Sequence, residues 1–179
     1  MNWKRSAVLM AIFTGLGLAQ GKQASPSSAN IELTVYLISG LAQGQTADNV
    51  PSNLAPTMRQ LHNLFTYKSY KLADSFILRG RAGSRASTEG RIPGNAGRYE
   101  FSYRSAWISA QSPNVVHIDR MYFSIVQTTP DGKIVTNNFT AQMQTDIDAR
   151  EGQETVVGKS SINNVGDALI LVIVTKVIE

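Results

Sequence analysis

Cysteine is absent from the 179 residues of this chain, which excludes disulfides, thiolate metal ligands and a cysteine nucleophile. Histidine is scarce, with two residues, and charged residues make up only 17% of the sequence. Structural and catalytic zinc sites draw most of their ligands from cysteine and histidine. We therefore expect no metal and no cofactor, and a fold that depends on its hydrophobic core alone.

Long apolar runs are also missing. The uncharged apolar run at residues 6–18 has 13 residues, whereas a membrane-spanning helix needs about 20. Lys4 and Arg5 precede this run, and the small residues Gly17 and Ala19 end it. A short basic stretch, an apolar run and small residues in this order are typical of a secretory signal peptide.

The expected organisation follows from that pattern. We predict a signal peptide at 1–19, a disordered, small and polar lead-in at 20–30, and a single domain at 31–179. The mature chain is then exported to the periplasm or the medium, without a transmembrane span. Loss of Lys4 and Arg5 with the signal peptide lowers the formal net charge from +4 to +2.

Most of the predicted domain alternates between apolar and polar residues with the period of a strand. The segments with this pattern are 31–39, 67–79, 98–110, 115–129, 134–149 and 155–157. In 115–129 the apolar residues change face near Asp119 and Arg120, which predicts a β-bulge there.

One segment has the period of a helix instead. Its apolar residues are Val50, Leu54, Met58, Leu61, Leu64 and Phe65. Ser52 or Asn53 can serve as the N-cap, and Pro56 fits the first turn. We predict one amphipathic helix from 51 to about 66, in a βαβ-type opening. The fold class is α+β: a mostly antiparallel sheet of about six to seven strands with this helix on one face.

The segment 168–178 (ALILVIVTKVI) is apolar on both faces, which indicates a strand that is covered twice. The helix can cover one face of this strand. Its other face needs the rest of the sheet or a second subunit, so a homo-oligomer is left open. Together with the two segments before it, this strand is predicted to form the last three antiparallel strands of the sheet.

The same region resembles a known family. The phrase from Gly152 to Gly158 (GQETVVG) and the strand from Ala168 to Thr175 (ALILVIVT) resemble the C-terminal strands of bacterial secretins, the outer-membrane pores of secretion and pilus systems. The chain departs from that pattern at Glu154 and Lys159, and it lacks the gate segment between the two strands. The resemblance implies a secretin-like module in the cell envelope and does not imply a pore.

Arginine is concentrated in one part of the chain. Between residues 79 and 104 lie six arginines, no lysine and two glutamates. The arginines are Arg79, Arg81, Arg85, Arg91, Arg98 and Arg104, and they are interleaved with Tyr99, Phe101, Tyr103 and Trp107. Guanidinium groups bind phosphate and carboxylate through paired hydrogen bonds. These arginines are candidates for binding an anionic partner, although arginine on a strand edge also deters unwanted pairing.

Catalytic motifs are missing from the sequence. There is no Gly-x-Ser-x-Gly elbow, no HExxH motif and no phosphate-binding loop. His117 and Asp119 share a strand face and could form a base-catalytic pair, and Asp146 and Asp148 could form a carboxylate pair. Strand alternation predicts solvated polar neighbours in both cases.

Two functions remain open. The leading hypothesis is an exported envelope protein that acts as a non-enzymatic binding or assembly module, associated with a secretion or pilus system. Its partner would be a protein or an anionic envelope component, whereas a nucleic acid is disfavoured because the chain is exported and weakly charged. The alternative is a small secreted hydrolase with an unrecognised site near His117 and Asp119.

Overall fold

The computed structural model describes residues 29–44, 47–92, 97–128, 134–162 and 166–178. For residues 127–128 and 134–140, the model describes only the backbone. The predicted signal peptide and residues 20–28 of the predicted lead-in lie outside the described residues. The first strand begins at Asn30, and Ala29 is already buried, so the described fold starts slightly before residue 31.

Nine strands and one α-helix form from the described residues. The strands are β1 (Asn30–Leu41), β2 (Ser69–Arg81), β3 (Ala86–Arg91), β4 (Gly97–Tyr103), β5 (Ser105–Ile108), β6 (Val115–Thr128), β7 (Ile134–Arg150), β8 (Glu154–Ser161) and β9 (Ala168–Ile178). The helix α1 (Ala55–Leu64) follows a single 3-10 turn, Ser52–Leu54.

The strands form two sheets. The first sheet has the order β2-β1-β9-β8. In the second sheet β6 is central: it pairs with β4 and β5 on successive parts of its length and with β7, and β3 pairs with β4. All these pairings are antiparallel, which confirms the predicted strand direction. The expectation of one sheet with six to seven strands was wrong.

Two further expectations about topology were also wrong. The strands β1 and β2 are antiparallel neighbours, so α1 does not form the crossover of a parallel βαβ unit. The strand β7 lies in the second sheet, while β8 and β9 lie in the first, so the last three strands do not form one meander. The hydrophobic pattern assigns a face to each residue, but it does not state which strand lies beside it.

The strand β9 lies between β1 and β8 and is covered on both faces, as its sequence predicts. Leu169, Leu171 and Ile173 join the core between the two sheets. Ile170 and Val172 face α1 on the other side. Both faces are therefore covered within one chain, and this strand does not require a second subunit to bury it.

The helix presents most of its predicted apolar stripe to the first sheet. Leu54, Met58 and Leu61 are buried against β9, whereas Leu64 is 62% exposed and does not widen the stripe as expected. The predicted N-cap is also wrong, because Leu54 occupies that position without a side-chain hydrogen bond. The 3-10 turn takes up Ser52 and Asn53 instead, and so moves the start of the α-helix to Ala55.

The predicted bulge in β6 is confirmed. The pairing with β7 shifts between Ile118 and Met121, and Arg120 has a φ of 46°. One extra residue at this point turns the following side chains over. As a result, Ile118 before the bulge and Met121 after it both face the core.

Candidate ligand-binding face of the second sheet

The outward face of the second sheet is polar along β6 from His117 to Ser124. Its inward residues Ile118, Met121 and Phe123 are buried in the core. The outward residues are His117, Asp119, Tyr122, Ser124 and Val126. An antiparallel sheet often keeps one face solvated in this way, so this face can collect polar side chains from several strands.

Three arginines line one cavity on this face. Arg85, Arg104 and Arg120 surround a cavity of about 300 Å³, together with Ser102, Tyr103, Tyr122 and Gln144. Its volume lies at the lower end of the range for small-ligand sites, about 300–1,000 Å³. The three guanidinium-bearing residues come from three separate parts of the chain.

Local structure explains how these arginines meet. Arg85 follows the turn after β2, and the backbone of that turn donates a hydrogen bond from Gly83 N to the Ala106 carbonyl at 2.7 Å. This bond ties the β2–β3 connection to β5. Arg104 lies where the chain passes from β4 to β5, and Arg120 lies at the bulge of β6.

The nearby carboxylates neutralise only part of this positive charge. Arg104 Nε donates to Asp119 Oδ2 at 2.6 Å. A second carboxylate, that of Asp146, accepts a hydrogen bond at 2.8 Å from the backbone N–H of Arg120. This bond does not involve the guanidinium group of Arg120. Within the described ranges no ion pair forms at Arg85 or at Arg120. A guanidinium group without an ion pair is able to bind a phosphate or carboxylate through paired hydrogen bonds.

Tyr103 adds no negative charge to the cavity. Burial raises the pKa of its hydroxyl, and within the described structure that hydroxyl has no hydrogen-bond partner. The phenol consequently stays neutral at physiological pH.

The other predicted arginines are distributed differently. Arg79 pairs with Glu32 on the first sheet, and Arg98 pairs with Glu89 on the second. Arg81 ends β2 and Arg91 ends β3, both exposed. Of the six arginines proposed from sequence, the structure brings Arg85 and Arg104 together at this cavity.

The aromatic residues of that segment do not accompany the arginines on the surface. Tyr99, Phe101 and Tyr103 are buried between the sheets, so they cannot stack on a ligand. Trp107 is 41% exposed. Sequence reasoning missed Arg120, although the bulge predicted at this residue was the signal that could have found it, since bulges re-aim side chains.

The two histidines have carboxylate partners that the sequence did not predict. His117 Nδ1 lies 2.6 Å from Asp148 Oδ1 on β7, and Asp119 is bonded to Arg104 instead. His62 on α1 lies 2.7 Å from Asp48. In the described part of the chain, no group of three or more acidic, histidine or cysteine side chains could hold a metal ion.

Among the described residues, no helix has the length and apolar character needed to cross a membrane.

No protein-family model and no curated protein matches the sequence. Two solved structures are similar to this chain. One is the Klebsiella pneumoniae type II secretion system outer membrane complex, which contains PulD, PulS and the PulC HR domain. The alignment covers 84% of this chain and 39% of the matched chain, with 10% sequence identity and a TM-score of 0.39. The type II secretion secretin XcpQ from Pseudomonas aeruginosa aligns over 84% of this chain and 57% of its own, at 11% identity and a TM-score of 0.39.

This chain thus spans less than two thirds of either structure. A TM-score of 0.39 is too low to assign a fold or a function. The chain is weakly and partially similar to secretin structures. This similarity does not assign the chain to a family.

Proposed function

We propose that this chain is an exported envelope protein that acts as a non-enzymatic binding module, with the outward face of the second sheet as its binding surface. Its ligand is an envelope component that carries phosphate or carboxylate groups. The observation that carries the proposal is the convergence of Arg85, Arg104 and Arg120 on one cavity. Two of these guanidinium groups form no ion pair with a described residue.

Export and an association with a secretion or pilus system are part of the proposal. The basic residues Lys4 and Arg5 before the apolar run 6–18 support export. The secretin-like phrases at 152–158 and 168–175 support the association. They occupy the antiparallel neighbours β8 and β9 of the first sheet.

A hydrolase centred on His117 and Asp119 has less support. Asp119 is bonded to Arg104, so it does not orient the imidazole of His117. Asp148 is the carboxylate in contact with that imidazole. A catalytic histidine also needs a nucleophile or a water in hydrogen-bond reach, and no described hydroxyl is hydrogen-bonded to His117.

The proposal is tested by measuring binding to two anionic partners, a lipid that carries phosphate groups and a polysaccharide that carries carboxylates. The protein would be co-sedimented with phosphatidylglycerol vesicles and, separately, titrated with polygalacturonate; phosphatidylcholine vesicles provide the neutral reference. We expect binding to at least one anionic partner. Replacement of Arg85, Arg104 and Arg120 by glutamine should weaken that binding by about 1 kcal/mol per charge.

Arg79→Gln is the matched control. Arg79 is as exposed as Arg104 and is likewise paired with a carboxylate, Glu32, but it lies on the first sheet. Its replacement should leave binding unchanged. Equal binding by the triple variant and the parent, or an equal loss in Arg79→Gln, would show that the cavity is not the binding site.

A further inference from the structure

A second cavity lies on the outward face of the second sheet, at the other side of the bulge. Its volume is about 560 Å³, and it shares no lining residue with the arginine cavity. Trp107, His117 and Asp148 line it from the sheet, and the loop that joins β5 to β6 supplies Ser109, Gln111 and Ser112.

The three sheet residues form one row across neighbouring strands. Trp107 on β5 pairs in register with His117 on β6, which pairs with Asp148 on β7. The indole and imidazole centroids lie 4.4 Å apart, and His117 Nδ1 lies 2.6 Å from Asp148 Oδ1. The imidazole is therefore held by the carboxylate, and the indole is held against the imidazole.

Trp107 remains 41% exposed in spite of these contacts. A partly exposed indole that is fixed in one orientation offers a large, flat surface at little entropic cost when a ligand binds. In this cavity it forms the apolar part of the lining together with Ile108, Ala110 and Val115, beside several hydroxyl, amide and carboxylate groups.

The loop that forms the polar side of the cavity is ordered by its own backbone. Ser109 N donates to the Val115 carbonyl at 2.8 Å, and Val115 N donates to the Ser112 carbonyl at 2.8 Å. The hydroxyls of Ser109 and Ser112 and the amide of Gln111 are thus presented on a bonded turn. Preformed polar groups of this kind fix the orientation of a bound ligand.

The charge of the cavity differs from that of the arginine cavity. His117 and Asp148 are its ionisable lining residues, and they are bonded to each other. Asp148 is its one carboxylate, and no lysine or arginine lies among its lining residues, so the lining does not attract an anion. A neutral ligand that is flat on one side and carries several hydroxyl groups suits this lining.

We propose that this cavity binds a neutral pyranose sugar ring, stacked on Trp107. The C–H groups on one face of such a ring match the negative face of an aromatic system. The hydroxyls at the edge of the ring match Ser109, Gln111, Ser112 and Asp148. This sugar site is separate from the anion site and does not depend on it.

Isothermal titration with neutral trisaccharides tests the proposal. Cellotriose, maltotriose, mannotriose and triacetylchitotriose would each be titrated into the protein, and the corresponding monosaccharides would separate recognition of a chain from recognition of a free sugar. We expect at least one of these sugars to bind. Trp107→Ala should lower the affinity for it about tenfold or more, which corresponds to about 1.4 kcal/mol.

Two other variants provide a control on the first sheet and a second test of the cavity. Ile77→Ala also removes an exposed apolar side chain, 59% exposed, but from the first sheet, and should leave the affinity unchanged. Gln111→Ala alters only the loop and should weaken binding even if Trp107→Ala does not fold. The proposal is overturned if no neutral sugar binds, or if Trp107→Ala and Gln111→Ala bind the sugar as the parent does.

Discussion

Tyr99 lies between the two sheets, where it connects them in two ways. Its ring stacks on Phe76 of β2, with centroids 5.0 Å apart. Burial, and then the charge and hydrogen bond of Asp74, raise the pKa of Tyr99 to about 12 from its ordinary value of 10.0. The alternation of 98–110 predicts that Tyr99 faces the core. It does not predict Asp74, because that contact joins residues of different sheets.

The raised pKa of Tyr99 predicts a loss of stability at alkaline pH. The folded state favours the neutral phenol, so this contribution to the free energy of unfolding is complete below pH 10 and falls as the pH rises from about 10 towards 12. In Tyr99→Phe the side chain cannot ionise, and the decline over this window should be smaller. Urea unfolding at pH 8, 10 and 11 measures it. An equal decline in both proteins would contradict the burial of a neutral Tyr99.

Among the elements, β9 is well predicted and β4–β5 are poorly predicted. The strand 168–178 is apolar on both faces, and the structure covers it on both. The predicted strand 98–110, in contrast, is divided at Arg104 into β4 and β5. Nothing in its alternation indicates the division, because the backbone of Arg104 donates to the Asp119 carbonyl, a partner on another strand.

Aspartate on either face of β9 should unfold the domain. Leu171 faces the core between the sheets, Val172 faces α1, and both are fully buried. A carboxylate at either position loses its hydration without gaining a partner, which costs several kcal/mol. Thermal unfolding followed by circular dichroism should show large losses for Leu171→Asp and for Val172→Asp, with Lys176→Asp on the same strand as the exposed control. Should Val172→Asp melt like the parent, α1 would not cover that face.

At the scale of the whole molecule, the sheets expose different outer faces. The first sheet is covered on part of its outer face by α1, whereas the second presents a polar face with both cavities. The sequence predicts polar and apolar faces for each strand, and it predicts Arg85 and Arg104 as binding residues. It does not predict the division into two sheets or the place of Arg120, because both depend on contacts between distant segments.

We expect this polar face to bind an anionic ligand at Arg85, Arg104 and Arg120. Titration of the ¹⁵N-labelled protein with inorganic phosphate, followed by amide chemical shifts, measures this binding residue by residue. Saturable shifts should centre on residues 85, 104 and 120 and disappear when the three arginines are replaced by glutamine. Shifts centred on Arg79 and Arg81 of the first sheet, or no saturable shifts at all, would contradict it.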